Sequence, residues 1–279
     1  MKLLKIIFLI PYLIYADPPA IGNFSLPTSQ QITPLVSFGQ NILDKGNLQT
    51  FVFADAFIGK DNYSTDVIPS ILYGITDTLC IFINTPFSPA SADENSHSSG
   101  IEDIFAQLEY SFYAKNSSSF EDLGSIVAKI AFPTGSDIKN PPTGFGATSF
   151  FLGATLNRTY INWFYYTSPG IVLPLYNHGT KFGNQFLYQL GVGRNFATPP
   201  GWIFAWQIEL DGTFSWKNKI KNFIDIDSGG NIIYATPSIW ISSKKIIIQF
   251  GVGYPIVQHL FGNQSKEFLS FDFNFGFTF

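Results

Sequence analysis

The chain ends in FLSFDFNFGFTF, residues 268–279. Leu269, Phe271, Phe273, Phe275, Phe277 and Phe279 take every second position, and Ser270, Asp272, Asn274, Gly276 and Thr278 fill the positions between. Successive side chains of a β-strand point to opposite faces, so one face here is almost wholly aromatic and the other is small and polar. A strand of this kind has few homes. It can lay its Phe face on the core of a soluble sandwich. It can stand at a sheet edge, where it invites aggregation. Or it can turn the Phe face to lipid and line a lumen with the other.

Composition favours the third. Aromatic residues make up 17% of the 279 positions and charged residues 13%, against about 25% charged in an ordinary globular chain. Past the N-terminus no run of about 20 apolar residues occurs, so no spanning helix is expected. High apolar content without apolar runs means interleaving, which is how a barrel escapes a hydropathy plot. The formal charge is −4 and there is no basic patch, which argues against a nucleic-acid partner. Cys80 is the one cysteine, set in the apolar run TLCIFIN (78–84), so neither a disulfide framework nor a multi-cysteine metal site follows. GFGAT (144–148) opens a strand and not a helix, so it is no phosphate cradle. No metal and no cofactor is expected.

The N-terminus, MKLLKIIFLIPYLIYA, combines Lys2 and Lys5 with an apolar stretch from Ile6 to Ile14. It reads as a signal peptide over residues 1–16, cleaved after Ala16. Residues 17–46 are rich in Pro, Ser and Gln and show weak periodicity. They are expected to form an irregular, plug-like segment at or in a barrel mouth. Residues 47–279 are expected to form the barrel itself.

Strand-like segments run through 47–58, 66–76, 78–87, 102–115, 123–132, 147–157, 160–173, 183–195, 202–214, 231–241, 244–254 and 267–279. Most come near the ~9–11 residues that a tilted strand needs to cross a bilayer. The connections tend to alternate between short, as at 76–77, 158–159 and 242–243, and long, as at 88–101, 133–146 and 215–230. Outer-membrane barrels do this, with short periplasmic turns and longer external loops, whereas a Greek-key sandwich has no reason to. The expected fold is an all-β, antiparallel transmembrane barrel of about 12 strands, within a range of about 10 to 14.

Alternation assigns faces. Leu108 and Tyr110 oppose Gln107 and Glu109; Ile126 and Ile130 oppose Lys129; Leu190 and Val192 oppose Gln189; Ile208 and Leu210 oppose Gln207 and Glu209; Ile248 and Phe250 oppose Lys245 and Gln249. With Asp272 from the last strand, the candidate lumen lining is Gln107, Glu109, Lys129, Gln189, Gln207, Glu209, Lys245, Gln249 and Asp272. Two readings fit these residues alike: a polar interior satisfied by its own side chains, or a selectivity lining with a mild cation preference. Segments 47–58 and 66–76 do not resolve into faces, because Phe51 and Phe53 share parity with Asp55 and Pro69 interrupts the second. Trp163, Tyr165, Tyr166, Trp202, Trp206, Tyr234, Trp240 and Tyr254 are girdle candidates. Phe151 and Phe164 have inward parity and would suit an aromatic substrate path.

His97, His178 and His259 fall in expected external loops, and nothing in the spacing brings them together as a metal site. His97 beside Ser98 suggests a lipid-acting Ser–His pair, but a nucleophile needs a held base and an oxyanion site, and a flexible polar loop offers neither. The chain reads as a non-enzyme.

IVAKIAFPTGSDIKNPPTGFGATSFFLGATL (126–156), YGITDTLCIFINTPF (73–87) and ISSKKIIIQFGVGYPI (241–256) together resemble the transporter-like outer-membrane family named for the MetA pathway of phenol degradation. The resemblance implies passage of small, often hydrophobic or aromatic molecules. Phe279 as a terminal aromatic also resembles the signal read by the outer-membrane barrel assembly machinery. The implied partners are outer-membrane lipid, lipopolysaccharide, that machinery and an unidentified small-molecule substrate, and the implied location is the bacterial outer membrane. Three functions are carried forward: a transporter or porin-like barrel, a closed structural or adhesive barrel working through its external loops, and a lipid-acting barrel enzyme.

Overall fold

Strand β1 (Leu48–Gly59) pairs on one side with β2 (Tyr63–Thr76) and on the other with β17 (Glu267–Thr278), antiparallel both times, so the sheet closes on itself. The computed structural model describes residues 20–39, 42–93, 95–177, 179–221 and 223–279. The expected signal peptide, residues 1–16, and His178 lie outside the described residues.

The remaining elements, in chain order, are β3 (Leu79–Asn84), β4 (Phe87–Asp93), β5 (Ser96–Ile101), β6 (Phe105–Asn116), β7 (Phe120–Ala131), β8 (Ser149–Tyr160), β9 (Trp163–Pro174), β10 (Thr180–Lys181), β11 (Gln185–Ala197), β12 (Trp202–Ser215), β13 (Lys219–Ile220), β14 (Phe223–Ile224), β15 (Gly230–Ser243) and β16 (Ile246–Leu260). Twelve of them, β1, β2, β3, β6, β7, β8, β9, β11, β12, β15, β16 and β17, form a closed antiparallel barrel with each strand beside its chain neighbour. Closure removes the sheet edge, which is why the Phe-rich last strand is not a liability. Most wall strands run 12–15 residues. At ~3.3 Å per residue and a tilt of ~40° this gives a wall roughly 30–35 Å high, enough for an apolar band of ~25 Å.

The faces follow the alternation. Ile71, Leu108, Leu152, Leu190, Ile239 and Phe250 point outward and are exposed. Gln107, Glu109, Gln189, Gln207, Glu209, Gln249, Asp272 and Asn274 point inward and are buried. This is a soluble protein's pattern inverted, as a lipid-facing wall requires. Five of the girdle candidates are on the outer face, and Trp163 and Trp206 meet edge to face with centroids 5.9 Å apart. The other three are corrected. Tyr166 and Trp240 are buried inside, 5% and 0% exposed, and Tyr234 faces inward against Phe57. Their parity decides it: Tyr166 shares a face with Phe164, and Trp240 with Ser238 and Ser242.

The wall's shortest connections, 77–78, 161–162 and 244–245, lie at one end, and five of the six connections at the other are longer. The exception is 60–62 between β1 and β2, because β2 begins at Tyr63 and pairs with β1 from Ile58 downward. The stretch 88–101, expected to be a loop, is the hairpin β4–β5. It forms because β3 stops at Asn84 and covers only Ser70–Thr76 of β2, and β4 then takes up Tyr63–Val67. A small external sheet, β10–β13–β14, caps the loops.

Candidate functional site

The site is the lumen, and the chain occupies part of it. Over residues 22–39 and 42–46 the backbone runs inside the wall. The Asn23 N–H donates to the Ile161 carbonyl at 2.7 Å, beneath the β8–β9 turn. The segment rises past two short 3₁₀ turns, Gly22–Ser25 and Thr28–Gln30, and comes back to the same rim. There the Lys45 N–H reaches Asp77 and the Gly46 N–H reaches the Gly74 carbonyl. Leu26, Ile32, Leu35, Ile42 and Leu43 are buried within it.

Inward polar residues hold this segment at its highest point. Glu209 accepts the backbone N–H groups of Leu35 at 2.7 Å, Val36 at 3.3 Å and Ser37 at 3.2 Å. The Gln207 amide donates a fourth bond to Glu209 at 2.8 Å. These donors fill a carboxylate's acceptor capacity. The Ser37 hydroxyl donates to Asp211 at 2.8 Å, and the Phe38 N–H donates to Gln189. Gln249 donates to the Thr33 carbonyl at 3.0 Å and accepts from Asn274 at 2.8 Å. Lower down, the Ser242 hydroxyl donates to the Gln30 carbonyl, and Gln49 to that of Ser29. Bare wall gives Phe38 its seat: its ring lies over Gly153 and Gly170 and meets Phe151 edge to face at 4.6 Å.

Four of the nine lining candidates, Gln189, Gln207, Glu209 and Gln249, thus converge on residues 33–38. Across the barrel Gln107 and Glu109 are buried on β6, and Glu109 accepts the Ser125 hydroxyl at 2.6 Å. Lys129 sits over the Phe105 and Phe151 rings, 4.5 and 5.3 Å from their centroids. Lys245 is corrected. It has the right parity but falls in the two-residue turn 244–245, exposed at the rim above the Phe277 ring. The aromatic-path candidates Phe151 and Phe164 are buried at 4% and 3% exposure, and Phe151 is covered by Phe38. His97 and Ser98 are consecutive in β5, pairing with Ala92 and Ser91, so their side chains leave opposite faces and cannot act as a pair.

Asp272 belongs to a second group. It stands directly opposite Asp55 in the β1–β17 register, and Asp55 stands opposite Asp66 in the β1–β2 register. Glu102, in the connection between β5 and β6, hydrogen-bonds Asp66. Burial first, then that bond and the charges of Asp66, Asp103 and Asp55, push the Glu102 carboxyl up to about 8. Sequence reading missed Asp55, Asp66 and Glu102. The signal was Asp55 sharing parity with Phe51 and Phe53, a mixture that hid the inward face. Above this row lies an external cavity of about 560 Å³, reached by Phe57, Ser64, Thr213, Tyr234 and Glu267.

A solved outer-membrane channel from Pseudomonas putida F1 matches this structure with a TM-score of 0.73 at 15% identity, over 89% of this chain and 100% of that one. The NanC porin matches with a TM-score of 0.50 at 11% identity, over 82% of this chain and 98% of the porin. No family model and no curated protein matches the chain. Identities this low show a shared fold, that of an outer-membrane β-barrel.

Proposed function

We propose that this chain is a non-enzymatic channel of the bacterial outer membrane, gated by its own residues 20–46. One observation carries the reading. The polar wall meets the inner segment largely through hydrogen bonds to backbone, at Glu209, Gln189, Gln249 and Ser242, and the external half above it keeps a cavity of about 560 Å³. Such bonds contribute about 0.5–3 kcal/mol each and can be exchanged for water. The family resemblance proposes small hydrophobic or aromatic compounds as cargo, and the Phe57–Tyr234 contact at the cavity supports an aromatic contact there. Phe279, outward and 69% exposed, is proposed as the signal for the assembly machinery, with lipid and lipopolysaccharide around the wall.

The test is single-channel conductance in a planar bilayer, comparing the full chain with a deletion of residues 20–46. Conductance that is absent or brief in the full chain and steady in the deletion supports a gated channel. Silence from a folded deletion overturns it. The adhesive reading rests on a separate observation: Phe223, Ile224 and Ile226 are 78%, 60% and 65% exposed on the external loops. It predicts that surface binding is lost on trimming residues 219–226 while conductance is absent throughout.

A further inference from the structure

A second group of carboxylates lines the lumen beside the inner segment. Asp272, Asp55 and Asp66 lie side by side on β17, β1 and β2, and antiparallel partners stand only about 4.5–5.5 Å apart. Asp211 on β12 is near enough to sense the charge of Asp272. Among the described residues the one side-chain ion pair is Arg158–Asp122, on the outer face, so none of these four carboxylates is neutralised by a cation of the chain. Like charges this close repel, and the arrangement is costly unless protons or a cation join it.

A second observation indicates what that is. Gly251 stands between Asp272 and Ser238 in the ladder, and the Leu35 side chain of the inner segment packs over it. Ser238, 6% exposed, has a hydroxyl with no hydrogen-bond partner, and Asn274, 1% exposed and on the same face two residues from Asp272, has a free amide oxygen. These are acceptors beside the carboxylates. Among the described residues no three acidic, His or Cys side chains converge as a metal site would require. The cavity above has an aromatic entrance, with Phe57 and Tyr234 edge to face at 6.4 Å. Phe57 is two residues from Asp55, Ser64 two from Asp66 and Thr213 two from Asp211, so the row lies one inward layer below the cavity, roughly 7 Å. Ring faces attract organic cations, and an ammonium group offers N–H donors to carboxylates whose partners within the chain are the Ser270 hydroxyl at Asp272 and Glu102 at Asp66.

We infer that the external half of the lumen is a binding site for small organic ammonium compounds, with Asp55, Asp66 and Asp272 as counter-charges and Phe57 and Tyr234 receiving the apolar part. This rests on the channel reading above and names its cargo class. The test is equilibrium dialysis of radiolabelled tetraethylammonium and methylammonium against the full chain in detergent, where binding does not depend on conductance. Saturable binding is expected. Asp55→Asn with Asp272→Asn should weaken it about tenfold or more, since a charged hydrogen bond is worth about 1.5–3 kcal/mol. Phe57→Leu, which leaves the row intact, should weaken tetraethylammonium more than methylammonium. No saturable binding, binding unchanged in Asp55→Asn/Asp272→Asn and in Phe57→Leu, or equal displacement by calcium would overturn the inference. Conductance without cation preference would sink this inference and leave the channel. Ammonium binding without conductance after deletion of residues 20–46 would sink the channel and leave the site.

Discussion

Replacing Glu209 by Gln tests the latch between the wall and the inner segment. The carboxylate accepts three backbone N–H groups from residues 35–37 at 2.7–3.3 Å and the Gln207 amide at 2.8 Å. Bonds to a charged acceptor are worth about 1.5–3 kcal/mol and neutral ones about 0.5–1.5 kcal/mol. Losing the charge across three bonds removes about 3 kcal/mol. Desolvation opposes this, because docking the segment strips water from an ionised group. With all acceptor positions filled, the bonded term wins, so the variant should release the segment. About 3 kcal/mol is roughly a hundredfold in the ratio of released to docked segment.

The chain carries its own reporter. Cys80 is its sole cysteine, 1% exposed on the inner face, and its sulfur accepts the Leu43 N–H at 3.1 Å. A membrane-impermeant maleimide can reach it only when the segment leaves. Glu209→Gln should raise the labelling rate about a hundredfold, with the barrel still running as a folded band on a gel without heating. A rate unchanged or slower than wild type, in a folded barrel, would refute the latch.

Other outcomes follow from the same contacts. Gly153→Val should speed Cys80 labelling roughly tenfold, because even a Cβ there would stand 2.5 Å from the Phe38 ring and 2.7 Å from the Phe151 ring, and overpacking costs about 1–3 kcal/mol; labelling at the wild-type rate would count against the Phe38 seat. Glu102 has its carboxyl raised from the ordinary 4.5 to about 8 by burial and by Asp66, so the folded barrel holds that proton more tightly than the unfolded chain. Stability should therefore fall as pH climbs from 4.5 to 8, and melting curves of Glu102→Gln should lose that slope. Arg158→Ala should lower the melting temperature, because its guanidinium donates to Asp122 at 2.7 Å and covers the Phe120 ring at 4.6 Å; an unchanged melting temperature would show the pair to be idle. Deleting Phe279 should reduce the amount of barrel assembled in cells while leaving refolding in detergent intact, and loss in both would make its role structural.

The wall was legible because its physics is local. Phe271 and Asp272 differ in which medium they meet, and a period of two writes that difference along the strand. The tight turns expected at 76–77 and 242–243 lie within two residues of the observed 77–78 and 244–245 for the same reason. Tyr166 and Trp240 were misjudged because an aromatic ring suits both a lipid interface and a filled lumen, and only the parity of Phe164 and Ser242 separates these. The hairpin β4–β5 was hidden because SPASADENSHSSG has loop chemistry; it becomes strand only to cover the part of β2 that β3 leaves bare. What residues 20–46 touch could not be read at all, since the partners of Leu35 and Ser37 lie more than 170 positions away. There was still an indirect sign. Gln189, Gln207, Glu209 and Gln249 crowd one side of a narrow lumen, and buried polar groups must be hydrogen-bonded. Neighbouring wall strands already satisfy each other's backbone, so the acceptors and donors of these side chains needed backbone from elsewhere. The stretch before β1 had no ladder of its own. Asp55, Asp66 and Asp272 pose the same question, and the Ser270 hydroxyl and Glu102 answer it only in part, which is why a further partner is sought outside the chain.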